Sequence, residues 1–290
     1  MRVLLIGADT SLGLALESHL QRWGRHELET VSFSASRWKS ERHAKKAVRR
    51  ARPDIIVDAR IQGAVDSGEQ LFDLDVDRCL WLAKVCQRSE AAYLLLSSAR
   101  VFAGDQERPY NEQDEPDSEE TVGGMLRRSE ELVRERCENH VILRLGPVFA
   151  HRGRNILTHM LDQLMQGGEL GLDTGLRGCP VAAPDAARVV SGMLDQLGAG
   201  AEARGNFHYC SADATNCYEF AEVLLASASQ FQEFGPGAVA LREREAGHKL
   251  SRRLDCNRLR NTFAIKQVPW RGYVADTVKL YFEQLQNSEH

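Results

Sequence analysis

The sequence has no run of about 18 consecutive apolar residues, so no membrane-spanning helix is expected. Its opening apolar stretch is too short for a secretory leader and no small-residue cleavage site follows, which leads to the expectation of a cytoplasmic protein. Neither sign of charge is in excess: 37 lysines and arginines against 41 aspartates and glutamates leave a net charge of -4 on 290 residues. No basic field exists to draw the whole chain onto nucleic acid or an anionic bilayer, and neither is expected as a partner. The seven cysteines, at 79, 86, 137, 179, 210, 217 and 256, are odd in number and contain no C-x-x-C pair. That argues against a disulfide framework and a zinc site alike; no metal is expected, and the thiols read as buried or inert. The chain also lacks internal repeats and low-complexity tracts.

What is present is alternation. An apolar run over residues 2–6 closes at Gly7, and residues 12–23 then carry apolar side chains at helical spacing, so the chain opens strand, tight turn, helix. Further strands are expected over 28–33, 54–59, 93–98 and 140–145, and helices over 37–52, 72–88 and 129–138. Strands alternating with helices of this length predict an α/β fold, a Rossmann-type doubly wound parallel sheet with helices on both faces. From Asn155 the pattern changes to helices over 156–166 and 184–197, a strand over 205–210, a helix over 218–228 and a loop at Gly235, Pro236 and Gly237. Residues 1–150 are therefore assigned to a first domain to which 181–212 return, and 151–180 with 213–290 to a smaller, interleaved C-terminal lobe. The stretch 112–120 (EQDEPDSEE) reads as a solvated acidic loop.

The turn Gly7-Ala-Asp-Thr-Ser-Leu-Gly13 lies between a strand and a helix, where backbone N–H groups attract a pyrophosphate and glycine lets the main chain come close to it. Of three glycines expected at 7, 10 and 13, the middle one is Thr10, whose Cβ and methyl crowd the approach. A strand-helix joint that binds nothing accounts for this turn about as well. No carboxylate stands at the end of the second strand to meet a ribose, but Arg37 and Lys39 do stand there. They suit a 2′-phosphate, making NADP the expected cofactor ahead of NAD; solvated charges, with no cofactor at all, remain the alternative.

Several stretches together resemble one group, dTDP-4-dehydrorhamnose reductase and its relatives among the extended short-chain dehydrogenases. They are the glycine turn, Arg52-Pro-Asp-Ile-Ile-Val-Asp-Ala59 with Asp66, Leu96-Ser-Ser-Ala-Arg-Val-Phe102, Pro109-Tyr-Asn-Glu112 and Leu143-Arg-Leu-Gly-Pro-Val-Phe149. Gly178-Cys-Pro180 with Asp185, Tyr218-Glu-Phe-Ala221 and Leu254-Asp-Cys-Asn-Arg-Leu259 with Trp270 extend the likeness over nearly the whole chain. The resemblance implies an NAD(P)-binding first domain and a substrate-binding second lobe. Cofactor contacts are implied at Gly7, Thr10, Ser11, Leu12, Gly13, Arg37, Lys39, Ala59 and Ser97, and Ser98 is the residual catalytic candidate.

The group's chemistry relies on a Tyr-x-x-x-Lys pair, in which the phenol protonates the substrate carbonyl and the lysine holds the ribose and favours the phenolate. Matching the helix after the acidic loop puts Val122 and Leu126 at those positions, and none of the six tyrosines has a lysine four residues on. Val122 and Leu126 read as core-facing positions, and Ser97 and Ser98 as caps of their strand end. Ala99 stands where the reductases carry an aspartate, and Asp58 and Asp75 where asparagine is usual.

Three readings follow. One is a catalytically degenerate protein that binds a dinucleotide and uses the second lobe for a nucleotide sugar or a protein partner; a homodimer is a separate expectation. A second is an active NADPH-dependent reductase of a 4-keto nucleotide sugar with another proton donor. The third is a nucleotide-free scaffold.

Overall fold

A computed structural model describes residues 1–234, 239–244, 247 and 249–288. In chain order the elements are β1 Arg2–Ile6, α1 Ser11–Trp23, β2 Glu27–Val31, α2 Glu41–Ala51, β3 Ile55–Asp58, α3 Arg60–Ser67, α4 Asp73–Ser89, β4 Ala92–Ser98, α5 Thr121–Arg136 and β5 His140–Leu145. After them come β6 Val148–Phe149, α6 Ile156–Gln166, β7 Gly168–Asp173, β8 Leu176–Arg177, β9 Val181–Ala182, α7 Ala183–Gly198 and β10 Gly205–Tyr209. The last are α8 Cys217–Ala228, β11 Val239–Arg244, β12 Leu250–Ser251, α9 Asn257–Phe263 and α10 Val274–Ser288.

Six strands form one parallel sheet in the order β10-β5-β4-β3-β1-β2, as the alternation predicts. Strands β1, β3 and β4 are buried on both faces, which is why they read as continuous apolar runs. The strand order reverses beside β1, and the carboxyl ends there are level: Ile6 faces Val31 on one side and Asp58 on the other. In a doubly wound sheet a ligand crevice lies outside these ends.

Two apolar cores result. The larger covers both faces of the sheet and draws in residues from 179 to 210 and from 254 to 265. The smaller packs α6, α8 and α10 around Phe149, Phe220 and Trp270. Three two-stranded parallel ribbons, β6 with β9, β7 with β11 and β8 with β12, carry the chain between them.

Several expected boundaries move. Helix α2 starts at Glu41, not residue 37, because serines claim the preceding backbone: the Ser32 hydroxyl takes the Ala35 N–H and Ser36 bonds back to Phe33. Helix α5 begins at Thr121, well before residue 129. Helix α3 was not expected. The loop assigned to Gly235, Pro236 and Gly237 lies outside the described residues. The stretch 112–120 is not a free acidic loop: Asp114 holds Arg108, Glu120 holds Arg100 and Arg252, and Glu112 takes the His208 N–H.

Candidate active site: the crevice over β1, β3 and β4

The turn after β1 is built around its two glycines. Gly7 has φ of +83°, and a Cβ there would lie 3.0 Å from the Arg60 nitrogen; a Cβ on Gly13 would run into the Gly7 carbonyl. Thr10 caps α1: its hydroxyl accepts the Gly13 N–H at 3.0 Å and donates to the Gly7 carbonyl at 2.8 Å. Its methyl points at α3, where a Cβ on Gly63 would come within 2.6 Å of it. The Ser11 hydroxyl donates to the Arg152 carbonyl at 3.0 Å, so the 151–154 loop lies beside the helix N-terminus. The backbone N–H groups of Ser11 and Leu12 meet no protein acceptor among the described residues. They are the part of the turn that fits a phosphate.

The ends of β2 and β3 are filled more heavily. Arg37 and Lys39 are exposed, and neither meets a carboxylate among the described residues; the Arg37 guanidinium lies 5.7 Å from the Phe33 ring centre. Ala59 is fully buried. Asp58, at the end of β3, accepts three bonds from Arg60, from N at 3.1 Å, Nε at 2.9 Å and Nη2 at 2.6 Å, and a fourth from the Tyr93 hydroxyl at 2.8 Å. Burial opposes the charge on Arg60, but the Asp58 carboxylate outweighs it and holds the guanidinium's pKa above its ordinary value. Burial and then Asp58 push the Tyr93 phenol up, so it stays protonated as a donor.

At the end of β4 the hydroxyls are already committed. Ser97 donates to Glu130 at 2.7 Å, and Glu130 forms a buried two-pronged pair with Arg144, whose Nη2 is 2.6 Å away. Behind Arg144, His208 is pulled down to about 3 by burial and by the neighbouring guanidinium; neutral, it accepts from Arg144 and donates to the Tyr110 carbonyl. Ser98 is 2% exposed and its oxygen accepts the Arg100 N–H at 3.4 Å, capping the short 3-10 turn Ala99–Val101. Val122, Leu126 and Glu130 recur at four-residue intervals on one face of α5. Glu130 reaches Ser97 from that face; Leu126 is fully buried and Val122 is half-buried against the same core. Tyr110, in the loop before α5, accepts from Gly104 N and donates to Asp105 at 3.0 Å.

The RmlD substrate binding domain model matches residues 1–282. The chain belongs to the RmlD substrate-binding family. A dTDP-4-dehydrorhamnose reductase of Sinorhizobium fredii is 25% identical over 285 residues, 93% of this chain and 94% of that protein. The spore coat polysaccharide biosynthesis protein SpsK of Bacillus subtilis is 26% identical over 228 residues, 77% of this chain and 78% of that one. Among solved structures, dTDP-4-dehydrorhamnose reductase of Clostridium acetobutylicum superposes with a TM-score of 0.82 at 19% identity, covering 97% of this chain and 99% of its own. The Bacillus anthracis dTDP-4-dehydrorhamnose reductase, solved in complex with NADP, gives 0.77 at 18% identity over 95% and 98%. At these identities the structures establish the fold.

For an RmlD-family chain the crevice is mixed. Gly7, Thr10, Ser11, Leu12, Gly13 and Ala59 converge at the ends of β1 and β3, with Arg37 and Lys39 on the rim beyond β2. The phosphate end fits a dinucleotide by its two glycines and its unpartnered N–H groups. Ser97, proposed from the sequence as a cofactor contact, donates its hydroxyl to Glu130, and Ser98 is turned to its own strand end. Arg60, Trp38, Glu130 and Arg144 escaped the sequence reading, though a charged residue directly after an apolar strand and two positions from Asp58 was a usable signal.

No group of three metal-ligating side chains occurs among the described residues, and no helix among them is long and apolar enough to cross a membrane.

Proposed function

We propose that this chain is a catalytically silent member of its family, which binds a nicotinamide dinucleotide without reducing a sugar. The observation that carries the reading is the face of α5. Where a phenol and an ammonium would protonate a carbonyl and hold a ribose, Val122 and Leu126 present hydrocarbon packed into the core. Loss of a positioned general acid costs about 10²–10⁴ in rate. The hydroxyls of Ser97 and Tyr110 donate their hydrogen bonds to Glu130 and Asp105, so neither is aimed at a substrate carbonyl.

The Ser11 and Leu12 N–H groups would hold the pyrophosphate. Arg37 and Lys39, exposed and without carboxylate partners among the described residues, would meet a 2′-phosphate, which favours NADP over NAD. The second lobe would take a nucleotide sugar, a reading supported by the reductase names of the relatives.

The test pairs two measurements on the full chain. Calorimetric titration with NADP⁺ should give saturable binding, while NADPH absorbance in the presence of a dTDP-4-keto sugar should fall no faster than without protein. Turnover above that control establishes the reductase reading and removes this one.

A further inference from the structure

In a dinucleotide-binding unit the ribose of the adenosine half is met from the end of the second strand. Here that half of the crevice, over the ends of β2 and β3, holds two large side chains of the protein itself. Trp38 follows β2 and is 9% exposed; Arg60 opens α3 and is 3% exposed. The Arg60 guanidinium carbon lies 5.9 Å from the centre of the indole ring, the separation of a cation stacked on an aromatic face.

Both are fastened to the walls. Arg60 is gripped by Asp58, and its Cγ would lie 3.2 Å from a Cβ on Gly7, directly against the phosphate turn. The Trp38 carbonyl accepts from Arg78 Nε at 3.0 Å, and Arg78 is paired with Asp75 at 2.5 Å. The segment after β2, the end of β3 and the first turns of α4 are thus joined across the crevice by Trp38, Arg60 and Arg78. An indole is the side chain closest to a purine in size and flatness, and arginine stacks on either.

We propose that Trp38 is an internal occupant of the adenosine half of this crevice, which a dinucleotide displaces in order to bind. The inference rests on the proposed dinucleotide binding and adds a closed state to it. Trp38 stands between Arg37 and Lys39 in the chain, so expelling the indole re-aims both cations that would meet a 2′-phosphate. A self-filled site weakens apparent affinity by the fraction of molecules that are open.

Calorimetric titration of wild type and Trp38→Ala with NADP⁺, adenosine 2′,5′-bisphosphate and nicotinamide mononucleotide tests this. With about 1–10% of wild type open, the variant should bind the first two ligands about 10–100-fold more tightly and the mononucleotide no differently. General loosening of the fold would instead move all three. In parallel, 5-fluorotryptophan labelling of wild type gives four resonances, and that of Trp38, assigned with Trp38→Phe, should shift on NADP⁺ addition while those of Trp23, Trp81 and Trp270 stay.

Equal affinities in the two proteins with the Trp38 resonance unmoved overturn the inference and leave dinucleotide binding intact. Binding by the variant alone would mean that the indole fills the site and is not displaced, which overturns the displacement and removes binding by wild type. Binding by neither at millimolar ligand removes both. Should Trp38→Ala not fold, Trp38→Leu replaces it, and the fluorine spectrum of wild type decides independently.

Discussion

Thr10 and Gly63 are matched across the contact of the phosphate turn with α3. A threonine in place of a third glycine puts a methyl into that contact, and the glycine on α3 leaves room for it: a Cβ at 63 would lie 2.6 Å from the Thr10 methyl. Gly63→Ala should therefore cost about 1–3 kcal/mol by overpacking. In a Thr10→Gly background the same change should be neutral or stabilising by up to about 1 kcal/mol, since a mid-helix glycine is otherwise a liability. Urea denaturation of the four proteins measures the coupling; an equal penalty in both backgrounds would show that Thr10 is not what Gly63 accommodates.

Among the elements, α5 carries the functional argument. Its face of Val122, Leu126 and Glu130 is built for packing and for the buried pair with Arg144, not for proton transfer. Restoring the two side-chain types does not restore their surroundings. In Val122→Tyr, Leu126→Lys the new ammonium would enter a fully buried position, where desolvation lowers its pKa from about 10.4 and costs stability. The double variant should melt at a lower temperature than wild type and leave NADPH unoxidised in the presence of a dTDP-4-keto sugar. Turnover would mean that the loss is confined to these two positions.

The same elements mark what a sequence can reveal. Strands β1, β3, β4 and β5 were legible because burial on both faces makes an uninterrupted apolar run, and α1 because Thr10 and Gly7 punctuate its start. Helix α3 was not, since Arg60, Gln62 and Gly63 look unfit for a buried helix until Asp58, Asp66 and Thr10 are set beside them. The early start of α5 was hidden from periodicity by Gly123 and Gly124 and legible only through the family resemblance, which put Val122 and Leu126 on that helix; Gly123 is required where Ser118 and the Arg100 carbonyl close in. At the site, two serines ending a strand were visible. Their consumption was not, because Glu130 lies 33 residues from Ser97 and only the fold brings them together.

For the whole molecule the sensitive point is where the chain passes from one core to the other. Strand β6 makes that passage in two residues, Val148 in the larger core and Phe149 in the smaller. The Val148 N–H is held at 3.0 Å by Asp66 of α3, whose same oxygen accepts from Gln62 Nε2 at 2.9 Å. Its second oxygen is shut from solvent without a hydrogen-bond partner among the described residues. Burial, only partly offset by the Val148 N–H and Gln62, pushes the Asp66 carboxyl up to about 8, against about 3.9 in an unfolded chain. Between those values the folded protein keeps a proton that the unfolded chain has released, so stability from this group declines as pH rises from about 4 to about 8 and is fully lost above. Asp66→Asn keeps the neutral geometry and does not titrate. Its melting temperature should match wild type near pH 4 and exceed it increasingly up to pH 8, with no further divergence beyond. Parallel melting curves across that range would mean that Asp66 is already ionised at the junction, and the two cores would then be joined through a carboxylate with no cation beside it.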